Sequence, residues 1–98
     1  GVPTYFVHAV YLSETEHPYG DEAGDYADNA LRFGIFCMAI VELSLRLNIT
    51  LIHLNDWHTA LVALYVKACA LNIRTVFTIH NLAYQGIFEE KSLALLGI

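Results

Sequence analysis

Two short apolar runs rich in β-branched residues, at 50–54 and 74–79, flank a stretch of helical length. That alternation constrains the fold more than any other feature of the chain. A strand, a helix and a second strand in succession build a parallel pair with a right-handed crossover. Leu51-Ile52-His53-Leu54 and Val76-Phe77-Thr78-Ile79 are almost continuously apolar, which suits strands covered on both faces. Residues 2–10 are β-branched and aromatic and read as a first strand. Residues 28–47 read as a helix capped by Asp28 or Asn29. Its polar positions are few (Arg32, Glu42, Ser44 and Arg46), so most of its circumference needs cover. A second helix is expected over residues 57–71 behind Asn55 and Asp56, and a third over residues 88–96. The expectation is an α/β chain of order β-α-β-α-β-α, three β-α units of a Rossmann-like parallel sheet.

Composition narrows the partners. The net charge is −5 with only five Lys and Arg, and a nucleic-acid or anionic membrane surface needs a cationic field. The longest uncharged apolar run, residues 33–41, is too short for a bilayer, which takes about 20 residues. Apolar residues make up 56% of the 98 residues and charged ones 15%, against about 25% charged in ordinary domains. A small free-standing domain normally carries more polar surface. With Gly1 at one end and Leu96-Gly97-Ile98 at the other, the chain reads as a piece of a longer protein. Cys37 and Cys69 sit in apolar helical patterns and read as buried free thiols. A reducing cytosolic setting fits them.

In open α/β sheets ligands bind beyond the carboxyl ends of the strands, and the polar residues gather there. After the first run comes a long connection, residues 11–27, with His17, Tyr19, Asp21 and Asp25; connections have a median of about 4–6 residues. The second run is followed by Asn55, Asp56 and His58, and the third by His80, Asn81, Tyr84 and Gln85. Asp56 reads equally well as a helix cap. His58 falls in the first turn of a helix, where the dipole keeps an imidazole neutral. His80, at a strand end, reads as facing a cleft, whereas His53 reads as core or as a strut to a neighbouring strand. His8 and His17 have no context that raises them, and Tyr5, Tyr11, Tyr26 and Tyr65 read as packing residues. Neither G-x-G-x-x-G nor G-x-x-x-x-G-K-[ST] occurs, and C-x-x-C, H-E-x-x-H and G-x-S-x-G are missing too. Aromatic faces and amides around a cleft suit a neutral carbohydrate. Two other readings use the same residues: a metal-dependent hydrolase with Asp56, His58 and His80 as ligands, and a non-catalytic glucan-binding module.

Three segments carry a resemblance: Tyr19-Gly20-Asp21 with Gly24-Asp25-Tyr26-Ala27-Asp28-Asn29-Ala30-Leu31-Arg32-Phe33, then Asn55-Asp56-Trp57-His58-Thr59-Ala60-Leu61, then Phe77-Thr78-Ile79-His80-Asn81-Leu82-Ala83-Tyr84-Gln85-Gly86. In this order and spacing the chain resembles the N-terminal domain of bacterial glycogen synthases and plant starch synthases over its whole length. The resemblance implies an internal part of the first domain of a two-domain GT-B glucosyltransferase. The second, nucleotide-binding domain and the Lys-Thr-Gly-Gly loop of the family are expected outside residues 1–98. It implies transfer of glucose from ADP-glucose or UDP-glucose to an α-1,4-glucan with retention and without a metal or other cofactor. It places the protein in the bacterial cytoplasm, or in a plastid if the source is a plant. His80 and Asp56 match catalytic positions. Tyr19, Asn81, His58, Tyr84 and Gln85 match residues that bind substrate or shape the cleft. One departure is Asn55, where many members carry His, so a role for that ring does not transfer. The 98 residues alone are expected to be inactive.

Overall fold

The computed structural model describes all residues, 1–98. In chain order the elements are a one-turn helix α1 (Val10–Ser13), a hairpin of β1 (Gly20–Asp21) and β2 (Gly24–Asp25), a long helix α2 (Asn29–Arg46), and strand β3 (Leu51–Asn55). A 3-10 turn (Trp57–Thr59), helix α3 (Leu61–Ala68), strand β4 (Arg74–Thr78) and helix α4 (Lys91–Leu95) complete it. β3 and β4 pair in parallel, from Leu51 opposite Arg74 to Asn55 opposite Thr78. The sheet has two strands, not three. Residues 2–10 do not form the expected strand: they are irregular, with Val10 opening α1. Their composition favours a strand, but β propensity is realised only against a partner, and β3 and β4 pair with each other alone.

The core lies between this sheet and the helices. Leu54, Val62, Val66, Cys37 and Val41 form its buried centre, with Ile40, Ile52, Leu61 and Ile73 packed around it. In a parallel pair the residues opposite one another share a face, and faces alternate along the strand. Leu54 therefore points into the helices, while Leu51 and Val76, about half exposed at 51% and 50%, lie on the outer face. That face is not covered within residues 1–98, contrary to the two-sided burial expected. The same holds for α2, which buries one side through Arg32, Gly34, Cys37 and Val41 and leaves Met38 and Leu45 exposed. Gly34 lets the Leu96 side chain, just past α4, approach α2 closely: a Cβ there would force that side chain to shift.

Three helices end alike. After α2, Ile49 N–H donates to the Ser44 carbonyl and Asn48 N–H to Leu45, with Asn48 at φ 54°. Leu71 and Ala70 repeat the pattern onto Val66 and Lys67 after α3, and Ile98 and Gly97 onto Leu93 and Ala94 after α4. These are Schellman terminations, which satisfy the orphan carbonyls with a left-handed residue just past the helix. They stop α3 at Ala68, short of the expected Leu71, and leave Cys69 past the packed face. Cys69 is exposed rather than buried, while Cys37 is buried as expected. Burial pushes the Cys37 thiol up to about 11, so it stays protonated at neutral pH.

Leu54 joins the sheet to both helices, and Leu54→Ala is expected to destabilise the chain by about 2–5 kcal/mol. The shift of the urea unfolding midpoint measures this. A change within about 0.5 kcal/mol, the range of surface substitutions, would place the core elsewhere.

Candidate functional site

The parallel register brings two strand ends side by side. Beyond the last pair, Asp56 N–H donates to the Thr78 carbonyl at 2.9 Å, which carries the ladder one residue past β3. Asp56 then turns with φ 59° and ψ 177°, a backbone region that is essentially glycine's and costs on the order of 1–3 kcal/mol for other residues. Its carboxylate does not cap the 3-10 turn that follows, so the capping reading fails. Oδ1 instead accepts the backbone N–H of His80 at 2.7 Å, and Oδ2 lies 3.3 Å from His80 Nδ1. A carboxylate only accepts, so Nδ1 is the ring nitrogen that carries hydrogen, and Nε2 is left with no protein partner. The His80 side chain is 56% exposed and that of Asp56 28%.

Beside this pair is a cleft of about 320 Å³ lined by Tyr19, Asp25, Asn29, Asp56, Trp57, His58, Asn81 and Tyr84. Tyr19, Asp56, His58, Asn81 and Tyr84 thus come together as the sequence suggests. Gln85 does not: its amide donates to the Leu82 carbonyl at 3.1 Å, and it faces a separate apolar cavity of about 340 Å³ behind Trp57. Asn81 has a second task, since its Oδ1 accepts Ala83 N–H at 3.0 Å, an Asx turn that sets the loop. Gly86 closes that loop at φ 62°, where a Cβ would meet the Trp57 ring.

The wall of the cleft is aromatic. The His58 ring lies 4.0 Å from Trp57 and 4.8 Å from Tyr19, centroid to centroid, and Phe33 meets both His58 and Trp57 edge-on at 4.9 Å. His58 is packed into this stack. Asp56, His58 and His80 form no cluster able to hold a metal ion. The hydrolase ligand set of Asp56, His58 and His80 is therefore not assembled. His53 is a strut, its Nε2 paired with Thr78 Oγ1 at 2.8 Å across the sheet. Of the four tyrosines read as packing residues, Tyr26 lies under the Arg32 guanidinium and Tyr65 reaches the Leu96 carbonyl, whereas Tyr5 and Tyr11 are exposed.

All 98 residues match the family described as starch synthase catalytic domain. The chain belongs to this starch synthase family. Among similar proteins are the "Glycogen synthase" of Thermodesulfovibrio yellowstonii, 41% identical over 95% of this chain and 20% of that protein, and the "Glycogen synthase" of Aquifex aeolicus, 41% identical over 96% and 21%. The "Glycogen synthase" of an Anaeromyxobacter species is 43% identical over 98% and 22%. The chain spans about a fifth of the length of these curated relatives. No helix is long and apolar enough to cross a membrane.

Within the family segment, Asn29, read from the sequence as a candidate helix cap, and Arg32, read as a polar position on the same helix, prove to build the site. Asn29 is buried, and its Nδ2 donates to the Tyr19 carbonyl at 2.7 Å. Arg32 is also buried and donates to the carbonyls of Tyr11 and Pro18 and to Thr15 Oγ1, with its guanidinium 4.8 Å over the Tyr26 ring. Together they hold the long connection on α2 and set Tyr19 against His58. An Arg on an otherwise apolar helix face was the available signal.

Burial lowers the His58 pKa, opposed by the neighbouring Asp56 carboxylate. A base whose folded pKa is lowered takes up protons more readily when unfolded. Stability is therefore complete above the unfolded value of about 6.5 and falls as pH drops below it. His58→Phe, which keeps a ring in the stack, is expected to flatten this decline in Tm below about pH 6.5. An unchanged Tm–pH curve would assign the decline to other groups.

Proposed function

We propose that these residues are part of the first, acceptor-side domain of a retaining glucosyltransferase that elongates an α-1,4-glucan in glycogen or starch synthesis. The donor is ADP-glucose or UDP-glucose, and the acceptor is the 4-hydroxyl at the non-reducing end. The observation that carries this reading is the Asp56–His80 pair at adjacent strand ends, supplied by two of the three family motifs and set beside a cleft with an aromatic wall. β3 and β4 are, in this reading, neighbouring strands of a larger Rossmann-like sheet, and the uncovered faces of sheet and α2 are where the rest of a two-domain enzyme packs.

The site's chemistry supports binding and orientation rather than nucleophilic attack. His80 Nε2, the ring nitrogen not engaged by Asp56, accepts from a hydroxyl of the transferred glucose, with Asn81 beside it. Tyr19 and the Trp57–His58 stack offer faces for sugar rings, whose CH edges pack on aromatics while their hydroxyls find the polar rim. During transfer the bond from the glucose C1 to the diphosphate breaks, and C1 bonds to the acceptor oxygen, whose proton departs with the nucleoside diphosphate. Stabilising that leaving group is the main electrostatic task, and it falls to groups of the second domain. Closure of the two domains excludes water and favours transfer over hydrolysis. In this reading no metal takes part, and the enzyme works in the bacterial cytoplasm.

The full-length protein, incubated with glycogen and labelled ADP-glucose or UDP-glucose in EDTA, is expected to place label in precipitated glucan. Failure with both donors by a folded protein would send the function back to glucan binding. His80→Ala is expected to lower turnover by about 10²–10³-fold. An unchanged rate would remove His80 from the donor site.

A further inference from the structure

We infer that Asp56 acts through His80, as a positioning residue that fixes both the place and the tautomer of the imidazole, and not by holding the acceptor glucan itself. This rests on the proposed donor-site role of His80. Three observations carry it. Both carboxylate oxygens of Asp56 are directed to the same residue, one to the His80 backbone N–H at 2.7 Å and the other to its ring Nδ1 at 3.3 Å. One contact sets where the chain leaves β4, and the other sets how the ring is turned. The Asp56 backbone is held at φ 59° and ψ 177°, a conformation that persists only where the surroundings over-determine it. Finally, the capping bond that an Asp at this position would ordinarily make is absent, so the side chain is committed to His80 at the expense of its own turn.

The chemical consequence lies at Nε2. With hydrogen on Nδ1, the neutral ring leaves a lone pair on Nε2 of a side chain that is more than half exposed beside the cleft, free to accept from a sugar hydroxyl. An amide in place of the carboxylate keeps an oxygen for the His80 N–H but turns its NH2 toward Nδ1. Nδ1 must then accept, hydrogen moves to Nε2, and the ring offers a donor where an acceptor is needed.

A double-mutant cycle in the full-length enzyme tests this, with Asp56→Asn, His80→Gln and the pair. Asp56→Asn is expected to lower kcat by about 10–100-fold, the usual effect of losing a partner that orients a functional His, with KM for glucan unchanged. In the His80→Gln background it is expected to lower kcat by less than about 2-fold, since residues acting as a unit are not additive. Asp56→Gly adopts the same backbone without strain and serves as the second variant should Asn disturb the fold; the same non-additivity is expected. Long-range 15N–1H spectra of histidine-labelled enzyme are expected to show hydrogen on His80 Nδ1 in the parent and on Nε2 in Asp56→Asn. Losses that multiply in the double variant, a rise in KM for glucan with kcat retained, or an unchanged tautomer would overturn the inference. Full activity of His80→Gln alone would instead overturn the donor-site reading beneath it.

Discussion

The parallel pairing of β3 with β4 is the constraint on which the site depends. Because both strands run the same way, their carboxyl ends leave the sheet at the same edge. With Asn55 opposite Thr78, the next residues to emerge are Asp56 on one strand and, after Ile79, His80 on the other. An antiparallel pair would send them to opposite edges. The crossover that makes the pair parallel runs through α3, which buries Val62 and Val66 against Leu54 and the Cys37 side of α2. Core packing and site geometry are therefore one problem: the apolar contacts that fix the register also fix the 2.7 Å bond between Asp56 and the His80 backbone.

A second constraint acts from α2. Arg32 is a buried cation with no carboxylate partner, and its charge is spread over loop carbonyls, a threonine hydroxyl and the Tyr26 ring. An uncompensated buried charge is strongly destabilising, so helix and loop must order together. The clasp accounts for a connection much longer than usual. It folds residues 11–27 back over the start of α2 and delivers Tyr19 to the cleft, where a short turn would leave that wall open.

The parts legible in the sequence are those whose signal is local. β3, β4 and α2 follow from apolar runs and helical periodicity, and the strand-end position of Asp56 and His80 follows from the order of elements. What could not be read depends on partners distant in sequence or on where a turn or helix end falls. Residues 2–10 have strand composition, yet no strand pairs with them. Whether Asp56 caps its turn or grips His80 is decided by a residue 24 positions away. Gln85 belongs to the same motif as His80, yet the Asx turn at Asn81 and the positive φ of Gly86 aim it elsewhere. Cys69 shares the apolar pattern of α3, but the helix stops before its face reaches the core.

The backbone is irregular in two different ways. Asn48, Asp56 and Ala70 are the non-glycine residues at positive φ. Asn48 and Ala70 each stand one place beyond a helix cap and donate the hydrogen bond that a Schellman ending requires, so the helix repays their conformation locally. Asp56 has no such ending to serve: it stands one residue past β3, its carboxylate makes no capping bond, and it sits at ψ 177°, where glycine would be the ordinary choice. A glycine there would relieve the backbone but remove the carboxylate. The residue that breaks the local rule is the one whose side chain reaches across to the neighbouring strand end. Local conflicts of this kind mark functional sites when every other level of a sequence agrees with its fold.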